Sequence, residues 1–345
     1  MSTPLRIAHL LLTHHFAGSE RYAVELANAQ AAAGHDVTMV LRRAGAEQRP
    51  DAIAPRLAPN VRQVVVPDLF AGWHARRALR ALSPDVAHGH LSGGCRALRR
   101  MRPGRGPLRI ATLHIRYKPQ QHAGLDGLIA IAPWQLDAIP ESMRARCVQI
   151  DNWTLPVAPS ADARTRLRQA FGIDTDAFVF GALGRVEKSK GLDVLIEAWR
   201  RAALPADARL VIVGQGGAWR DLRAAAADTI VMPGFAATPR DWLEAFDLFV
   251  SAARSEPFGL VLLEAMAAGL PLLTTASEGA SYLRDLIPFP LVPVGDAGAL
   301  AAALRETYAA RPARRGYPMQ RFSLAERSGD IEDFYRQGLR AAANP

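Results

Sequence analysis

The stretch LFVSAARSEPFGLVLLEAMAAGLPLLTT, from Leu248 to Thr275, predicts a strand, a loop, a short helix and a second strand in succession. The run LFVSAA has the length of a buried strand, and the helix, from Leu260 to Ala268, is ended by Gly269 and Pro271. The second apolar run, LLTT, follows at once. Strand, helix and strand in this order are typical of a βαβ unit in a parallel sheet. We therefore expect an α/β fold.

The same alternation continues through both halves of the chain. The other expected strands are RIAHLLL from Arg6, DVTMVL from Asp36, VRQVVV from Val61, DVAHGH from Asp85, RIATLHI from Arg109, GLIAIA from Gly127, FVFGALG from Phe178, RLVIVG from Arg209 and TIVMPG from Thr229. Further helices are expected from Glu20 to Ala33, closed by Gly34, from Leu192 to Arg201, and from about Leu324 to Ala342. Near-continuous apolar strands separated by helices indicate parallel sheets covered on both faces.

The length of 345 residues suits two domains. The sequence PVAPSADA, from Pro156, has the composition of a linker. We expect a Rossmann-like domain over residues 1–157, a second over residues 158–320, and a helical segment over residues 321–345 that returns to the first domain. Two such doubly wound domains face a central cleft, and their ligands bind at the carboxyl ends of the strands.

Composition points to a cytoplasmic protein. Cys95 and Cys147 lie far apart without metal-ligand spacing, so we expect two reduced thiols. We expect no signal peptide, because no basic segment followed by an apolar run opens the sequence, and no stretch approaches the ~18 apolar residues of a spanning helix.

The net charge of +9 is confined to residues 1–160, and residues 161–345 are neutral overall. Residues 76–109 hold nine arginines and one acid, Asp85, without a nucleic-acid-binding motif. This asymmetry favours an anionic membrane surface or a phosphate-bearing partner over nucleic acid. A helix from about Trp73 to Leu82 would place Arg76 and Arg80 on one face, and the stretch from Arg96 to Arg109 adds six arginines. The alternative is an arginine-rich surface that only meets solvent.

Two glutamates in the opening stretch have the character of polyol ligands. Glu256 precedes a proline, which favours an extended or loop conformation, and Glu264 follows on the second turn of the helix among apolar neighbours. The amides of a helix's first turn are free to meet anionic or hydroxyl-rich ligands. One carboxylate can hold a sugar ring and the other a ribose.

With its Glu, Pro-Phe-Gly, Glu-Ala-Met and Gly-x-Pro elements, this stretch resembles the signature of the family 4 retaining glycosyltransferases, which have the GT-B fold. The resemblance implies that Glu256 contacts hydroxyls of the donor sugar and that Glu264 contacts the ribose. It also implies that the backbone amides of Phe258, Gly259 and Leu260 contact the sugar or its phosphate. On this view residues 158–320 form the nucleotide-sugar donor domain and residues 1–157 the acceptor domain.

Three further segments of the second half carry the resemblance. GRVEKSKGLDVLIEA, from Gly184, is similar to the family's diphosphate-binding stretch, with Arg185 and Lys190 on its two basic positions. VGQGG matches a strand-end loop whose glycines, Gly214 and Gly216, let the backbone approach a nucleotide. PGF, with Gly234 and Phe235, resembles the position that lies against the base.

In the first half, HFAGSERYAVELANAQAAAGHDV, from His15, resembles the family's glycine-rich loop and first helix. The family has two glycines where this chain has Gly18 and Ser19. His114 matches a strand-end histidine that faces the donor sugar. His88 and His90 form an H-x-H pair that metal sites also use, but the family has a similar pair without metal, and we expect no metal.

The chain departs from the family at DNWT, from Asp151, where the family carries a turn. It departs again at SEGAS, from Ser277, where the family carries two glycines that help to place the donor. No Asp-x-Asp motif stands at a strand end to hold a divalent cation. We therefore expect a metal-independent transferase in which Arg185, Lys190 and helix amides neutralise the leaving diphosphate. His114, Arg185, Lys190 and Glu256 form the expected catalytic group.

The expected reaction moves a hexose, with retention of configuration, from a nucleotide sugar to a saccharide or lipid-linked acceptor of the bacterial envelope. A UDP-sugar is favoured over a GDP-sugar, as co-substrate and with no further cofactor. A front-face attack fits because no carboxylate stands out as a covalent nucleophile. The expected location is the cytoplasm, with peripheral contact at the inner face of an anionic membrane. The alternatives are a nucleotide-sugar 2-epimerase and a catalytically silent nucleotide-sugar-binding subunit.

Overall fold

The computed structural model describes residues 3–14, 16–49, 52–156 and 158–343. These residues form two compact units. Unit 1 comprises the described residues up to Trp153 and those from Arg321 onward, and unit 2 comprises the described residues from Thr154 to Gln320. Val157, after which the sequence predicts the domain boundary, lies outside the described residues, as does His15 in the first predicted loop.

Within its described residues, unit 1 contains a parallel sheet of seven strands in the order β3-β2-β1-β4-β5-β6-β7. The strands are β1 (Arg6–Leu11), β2 (Asp36–Arg42), β3 (Arg62–Val66), β4 (Val86–His90), β5 (Leu108–Leu113), β6 (Gly127–Ala130) and β7 (Cys147–Gln149). The helices are α1 (Gly18–Ala32), α2 (Ala71–Leu82), α3 (Leu91–Arg99), α4 (Pro119–His122), α5 (Trp134–Asp137) and α6 (Glu141–Arg144). The central strands β4, β5 and β6 are buried at every position because helices cover the sheet, as the apolar runs predict.

The prediction of six strands in this half is confirmed, and β7 was missed because it is three half-buried residues long. The helix predicted to begin at Glu20 begins at Gly18 instead, so Gly18 and Ser19 lie in its first turn. Its end is as predicted: Gly34 has φ +94° and directs the chain into β2.

Unit 2 contains, among the residues described, a parallel sheet of five strands in the order β10-β9-β8-β11-β12. The strands are β8 (Phe178–Leu183), β9 (Ala208–Val213), β10 (Ile230–Gly234), β11 (Leu248–Ser251) and β12 (Leu272–Thr274). The helices are α7 (Ala163–Ala170), α8 (Leu192–Ala202), α9 (Trp219–Ala224), α10 (Pro239–Ala245), α11 (Leu260–Ala267), α12 (Glu278–Tyr282) and α13 (Ala297–Ala310). Its core is built around Phe180, Trp199 and Leu210, against which α13 packs through Leu300 and Leu304.

The last described helix, α14 (Leu324–Ala343), belongs to unit 1. Its Tyr335 is fully buried, and its Glu332 lies 3.0 Å from Nε2 of His35. At the start of β6, the ring of Phe334 would be 2.9 Å from a Cβ atom placed on Gly127, so the glycine leaves room for this ring. Both sheets therefore have the doubly wound order that the sequence predicts, and the direction of winding switches beside β1 in one and beside β8 in the other.

Candidate active site

The pocket of unit 2 lies at the switch point of its sheet, between the carboxyl ends of β8 and β11. It is lined by Ala182, Leu183, Gly184, Arg185, Lys190, Leu192, Ile212, Val213, Phe249, Val250, Ser251, Ala252, Glu256 and Val261. Ligands of doubly wound sheets bind at such a point because the loops diverge there. Four residues predicted from the sequence thus come together: Gly184, Arg185, Lys190 and Glu256.

The glycines at the ends of β8, β9 and β10 pack directly on one another. The backbone N–H of Gly214 donates to the carbonyl of Gly234 at 2.8 Å. Gly214 has φ +138°, and a Cβ atom there would lie 1.8 Å from the carbonyl oxygen of Gly184. Glycine is therefore required at this position by both conformation and space. The adjacent Gly216 is similarly confined, since its Cβ atom would lie 2.4 Å from the carbonyl oxygen of Val186.

Lys190 and Glu256 form an ion pair in the pocket. The two residues reach it on neighbouring loops, a 3₁₀ turn at Lys188–Lys190 and the loop after β11. The backbone N–H of Arg254 donates to the carbonyl of Ser189 at 2.8 Å and joins these loops.

The side chain of Arg254 completes the junction. Its guanidinium forms two 2.6 Å hydrogen bonds to the carboxylate of Asp193, at the start of α8, and lowers the pKa of that carboxyl. Sequence reasoning missed Arg254 and Asp193. Neither residue type stands out at these positions, and their contact spans 61 positions.

Glu278 holds the loop that carries Glu256. Its Oε2 accepts the backbone N–H of Glu256 at 3.0 Å, and its Oε1 accepts the hydroxyl of Ser255 at 3.2 Å. The following residue, Gly279, donates its N–H to the carbonyl of Glu256 at 2.7 Å. The sequence marks SEGAS only as a departure from the family. Its glutamate gave no signal of this contact.

Arg185 is the more exposed cation of the site, with 66% of its side chain accessible. Its Nη1 lies 3.1 Å from Oε1 of Glu187. The pocket therefore has one cation held against a carboxylate, Lys190, and a second, Arg185, on a side chain that meets solvent.

The predicted helix follows the loop as expected, with α11 beginning at Leu260. Phe258 is buried beside the ring of Tyr282, and Gly259 has φ +94° at the helix N-cap. Glu264 is half-buried on the second turn and is not among the pocket-lining residues. Phe235, predicted to lie against a base, is 74% exposed after β10.

His114 belongs to unit 1, where it directly follows β5. Its Nε2 lies 3.3 Å from Nδ1 of His90, and the edge of its ring meets Tyr22. Burial lowers the pKa of His114 to about 3. At neutral pH its imidazole is uncharged and acts as a hydrogen-bonding group.

His88 and His90 lie on the same face of β4 and are fully buried beside His9 of β1. One ligand atom from each of the three rings fits within 4.8 Å, the spacing of a metal site. The ring nitrogens are already engaged, however: those of His88 lie 2.6 Å from the hydroxyl of Tyr335 and 2.8 Å from that of Thr112. A metal would have to displace such bonds, so the donor set fits a hydrogen-bonded core better.

The arginine-rich segment divides into exposed and buried members. Arg77 and Arg80 on α2 are exposed, and Arg76 is half-buried with Nη1 3.1 Å from the carbonyl of Gly72. After α2, the exposed arginines are Arg96, Arg99, Arg100, Arg102 and Arg105.

Arg109 corrects the prediction that all six arginines from Arg96 to Arg109 share the basic surface. It is 2% exposed and forms an ion pair with Asp126 at 2.7 Å. Its guanidinium also donates to the carbonyls of Met101 and Gly124, at 2.9 and 2.7 Å. Strand β5 points this side chain into the fold, where it ties two loops together.

Large apolar side chains are exposed beside the basic ones. Leu69 and Phe70 are each 72% exposed, Trp73 is 49% exposed, and Val65 is 48% exposed. The guanidinium of Arg77 lies 6.0 Å from the Trp73 ring. Sequence reasoning had singled out Trp73 alone. We call Leu69, Phe70 and Trp73 the apolar ridge.

The chain matches two family models. Residues 16–180 match the model described as Glycosyltransferase Family 4, and residues 177–310 match the one described as Glycosyl transferases group 1. Among curated relatives, the D-inositol 3-phosphate glycosyltransferase of Xylanimonas cellulosilytica is 32% identical over 213 residues, 56% of this chain and 50% of the relative. The chain thus spans half the length of that relative.

A second relative is covered more fully. The lipopolysaccharide core biosynthesis glycosyltransferase LpsE of Rhizobium meliloti is 28% identical over 314 residues, 87% of this chain and 89% of that one. Among solved structures, Anabaena HepE in complex with UDP and glucose superimposes with a TM-score of 0.77, at 18% identity, over 96% of this chain and 100% of that one.

Two parallel-sheet Rossmann-like units and this structural likeness define a protein of the GT-B fold. Within that class, residues 16–180 match a Glycosyltransferase Family 4 domain and residues 177–310 match a Glycosyl transferases group 1 domain.

Proposed function

We propose that this protein transfers a sugar from a nucleoside-diphosphate sugar to a saccharide or lipid-linked acceptor, with retention of anomeric configuration and without a metal ion. The observation that carries the proposal is the pocket of unit 2. It places Arg185, Lys190 and Glu256 at the switch point of the sheet, beside tightly packed glycine loops. HepE, of the same fold, binds UDP and glucose, which supports a nucleotide-sugar donor for this chain.

The positively and negatively charged residues of the pocket have different roles in the transfer. As the bond between sugar and diphosphate lengthens, negative charge grows on the leaving phosphate. Arg185 and Lys190 neutralise that charge, and the ammonium of Lys190 is oriented beforehand by Glu256. The acceptor hydroxyl attacks from the face that the diphosphate leaves, and its proton passes to a phosphate oxygen. Glu256 positions the sugar hydroxyls and forms no covalent bond.

In unit 1, His114 offers a neutral imidazole after β5. We assign it to binding of a sugar hydroxyl, because an uncharged ring at neutral pH suits a neutral polyol better than a phosphate. Gly18 and Ser19, in the first turn of α1, are assigned to donor phosphate contact through their amides.

The acceptor is assigned to the lipid-linked class. The similarity to LpsE supports an envelope saccharide. The surface of unit 1 gives independent support, since the apolar ridge projects beside the exposed Arg77 and Arg80. Each arginine near an anionic leaflet is worth about 1 kcal/mol, and aromatic side chains favour the interface. No helix among the described residues has the length and apolarity to cross a bilayer.

The decisive experiment begins with a thermal-shift screen against UDP-, GDP-, ADP- and TDP-sugars, since a ligand raises apparent stability by mass action. The preferred donor is then incubated with truncated lipopolysaccharide, and the anomeric configuration of the product is read by NMR. We expect a shift with a UDP-sugar and an acceptor-dependent product of retained configuration.

The alternatives give distinct results in the same assay. A 2-epimerase converts the donor without any acceptor. A silent binding subunit shows the thermal shift and forms no product with any acceptor tested. No shift with any nucleotide sugar would reject the proposal.

A further inference from the structure

We propose that the side-chain amide of Gln30 sets the tautomer of His114 through a chain of hydrogen-bonded histidines, so that His114 presents to its ligand a ring nitrogen that accepts a hydrogen bond. The chain lies wholly in unit 1. The identity of the ligand rests on the proposed function; the tautomer does not.

The histidine chain consists of Gln30, His9, His90 and His114, linked in that order. Oε1 of Gln30 lies 2.8 Å from Nε2 of His9. Nδ1 of His9 lies 3.0 Å from Nε2 of His90. Nδ1 of His90 lies 3.3 Å from Nε2 of His114. Strands β1 and β4 and the residue directly after β5 supply the imidazoles, and α1 supplies the amide.

Charge is excluded from the interior of the chain. Gln30, His9 and His90 are fully buried. Burial lowers the pKa of His9 to about 4 and that of His90 well below its usual range. A neutral imidazole has one nitrogen that donates and one that accepts. Each ring in the chain therefore has two arrangements, and its neighbour decides between them.

The amide of Gln30 sets the polarity through the atom that it turns toward His9, which is its carbonyl oxygen. The carbonyl oxygen of Gln30 cannot donate, so Nε2 of His9 carries the proton and Nδ1 accepts. His90 must then donate from Nε2 to His9, which leaves its own Nδ1 as an acceptor. His114 in turn donates from Nε2, and its Nδ1 carries the lone pair. Among the described residues, Nδ1 of His114 has no hydrogen-bond partner in the protein.

This polarity has a chemical consequence for recognition. A ring that presents Nδ1 as an acceptor binds a ligand hydroxyl. It does not bind a phosphate oxygen, which needs a donor. In the opposite tautomer Nδ1 would donate, so the ring would suit a phosphate oxygen instead. Gln30 is thus a positioning residue: it touches no ligand, and it acts through two buried rings on the third.

His88 belongs to a separate branch and supplies a control. Its nitrogens bond to Tyr335 and Thr112 rather than to the histidine chain. Its ring nevertheless stacks on His90, with centroids 4.3 Å apart. Thr112→Val therefore disturbs the same buried cluster without removing a contact of Gln30 or breaking a link between Gln30 and His114.

The test is a long-range ¹H–¹⁵N correlation spectrum of protein labelled at the histidine rings, recorded at pH 7.5 without ligand. Loss of one signal in His114→Gln assigns His114. We expect His114 in the wild-type protein to be a single Nε2–H tautomer. An Nδ1–H tautomer, or a mixture of the two, would overturn the proposal, and this result needs no variant of Gln30.

Gln30→Met and Gln30→Leu remove the polar end of the chain at similar volume. In either variant that folds, we expect His114 to change to a mixture of both tautomers, whereas Thr112→Val keeps the single Nε2–H form. A single unchanged tautomer in a folded Gln30 variant would contradict the proposed control by Gln30. A protein that bound no nucleotide sugar would reject the proposed function and leave this spectrum as predicted.

Discussion

The carboxylate of Glu278 accepts the backbone N–H of Glu256 at 3.0 Å, so a residue on α12 fixes the main chain of a residue in the pocket. In Glu278→Ala both this N–H and the hydroxyl of Ser255 lose their partner. Such a loss costs about 1–2 kcal/mol. We expect binding of the donor, measured by calorimetry, to weaken about tenfold with a small change in melting temperature. Asp285 is an exposed acid that follows the same helix, and Asp285→Ala should bind the donor normally. Equal losses of binding in the two variants would contradict the role of Glu278 in holding the loop of Glu256.

Lys190→Ala and Glu264→Ala are each expected to weaken binding of the nucleoside diphosphate alone. Loss of a charge-assisted hydrogen bond costs about 1.5–3 kcal/mol, or roughly 10–100-fold in affinity. Lys188→Ala is the matched control, because Lys188 is an exposed lysine of the same 3₁₀ turn and is absent from the pocket lining. Calorimetry with folded variants decides the matter. Unchanged affinity in Lys190→Ala and Glu264→Ala would show that neither side chain meets the nucleotide.

Transfer is expected to persist in excess EDTA, because Arg185 and Lys190 supply the positive charge that a divalent cation supplies elsewhere. The measurement is the initial rate of product formation with and without chelator. An abolished rate that magnesium or manganese restores would contradict this expectation.

Acid should destabilise the protein through its buried histidines. Because the pKa values of His9, His88 and His90 are lowered by burial, the unfolded chain takes up protons below about pH 6.5 that the folded protein does not. The free energy of unfolding then falls with falling pH, by about 1.4 kcal/mol per unit for each histidine, until the folded protein itself is protonated.

The measurement is urea unfolding at pH 7 and pH 5. His88→Gln removes one of these groups, so its loss of stability between these pH values should be about 2 kcal/mol smaller than that of the wild type. Equal pH dependence in His88→Gln and the wild type would mean that His88 is protonated in the folded protein.

The apolar ridge and its arginines are expected to bind anionic vesicles. Arg77→Glu with Arg80→Glu reverses two exposed charges and should reduce flotation with phosphatidylserine vesicles at least tenfold. Added salt should weaken the wild-type interaction, since exposed charges are screened within about 10 Å at 0.1 M. Phe70→Ser should also reduce flotation, whereas Val294→Ser, an exposed apolar residue of unit 2, should not. Equal flotation with neutral vesicles, or none, would leave the basic surface facing solvent only.

The strands and the main helices could be predicted because each is encoded locally. Apolar runs such as FVFGALG specify strands, and Gly34 ends a helix through its own conformation. Helix α13 was missed, since its alanine-rich sequence has weak contrast between its two faces. Strand β7 was missed because three residues carry too little pattern.

The pocket was predictable to the extent that it follows from motif spacing. Gly184, Lys190 and Glu256 stand in recognisable segments, and the parallel sheet brings those segments to one edge. The supporting contacts were not predictable. Glu278 bonds to the backbone of Glu256 and Arg254 to the carboxylate of Asp193, and no local pattern marks either residue as the partner of so distant a group.

The path of the chain through unit 1 has a consequence for its synthesis. The polypeptide leaves this unit after Trp153 and re-enters it at Arg321, and the hydroxyl of Tyr335 meets the ring of His88 across 247 positions. On the ribosome, the whole of unit 2 must emerge before α14 can cover that histidine. A nascent chain halted near Gln320 would contain the complete sheet of unit 2, whereas the sheet of unit 1 would still lack the cover of α14. The part of the protein that is translated first is thus the part that is completed last.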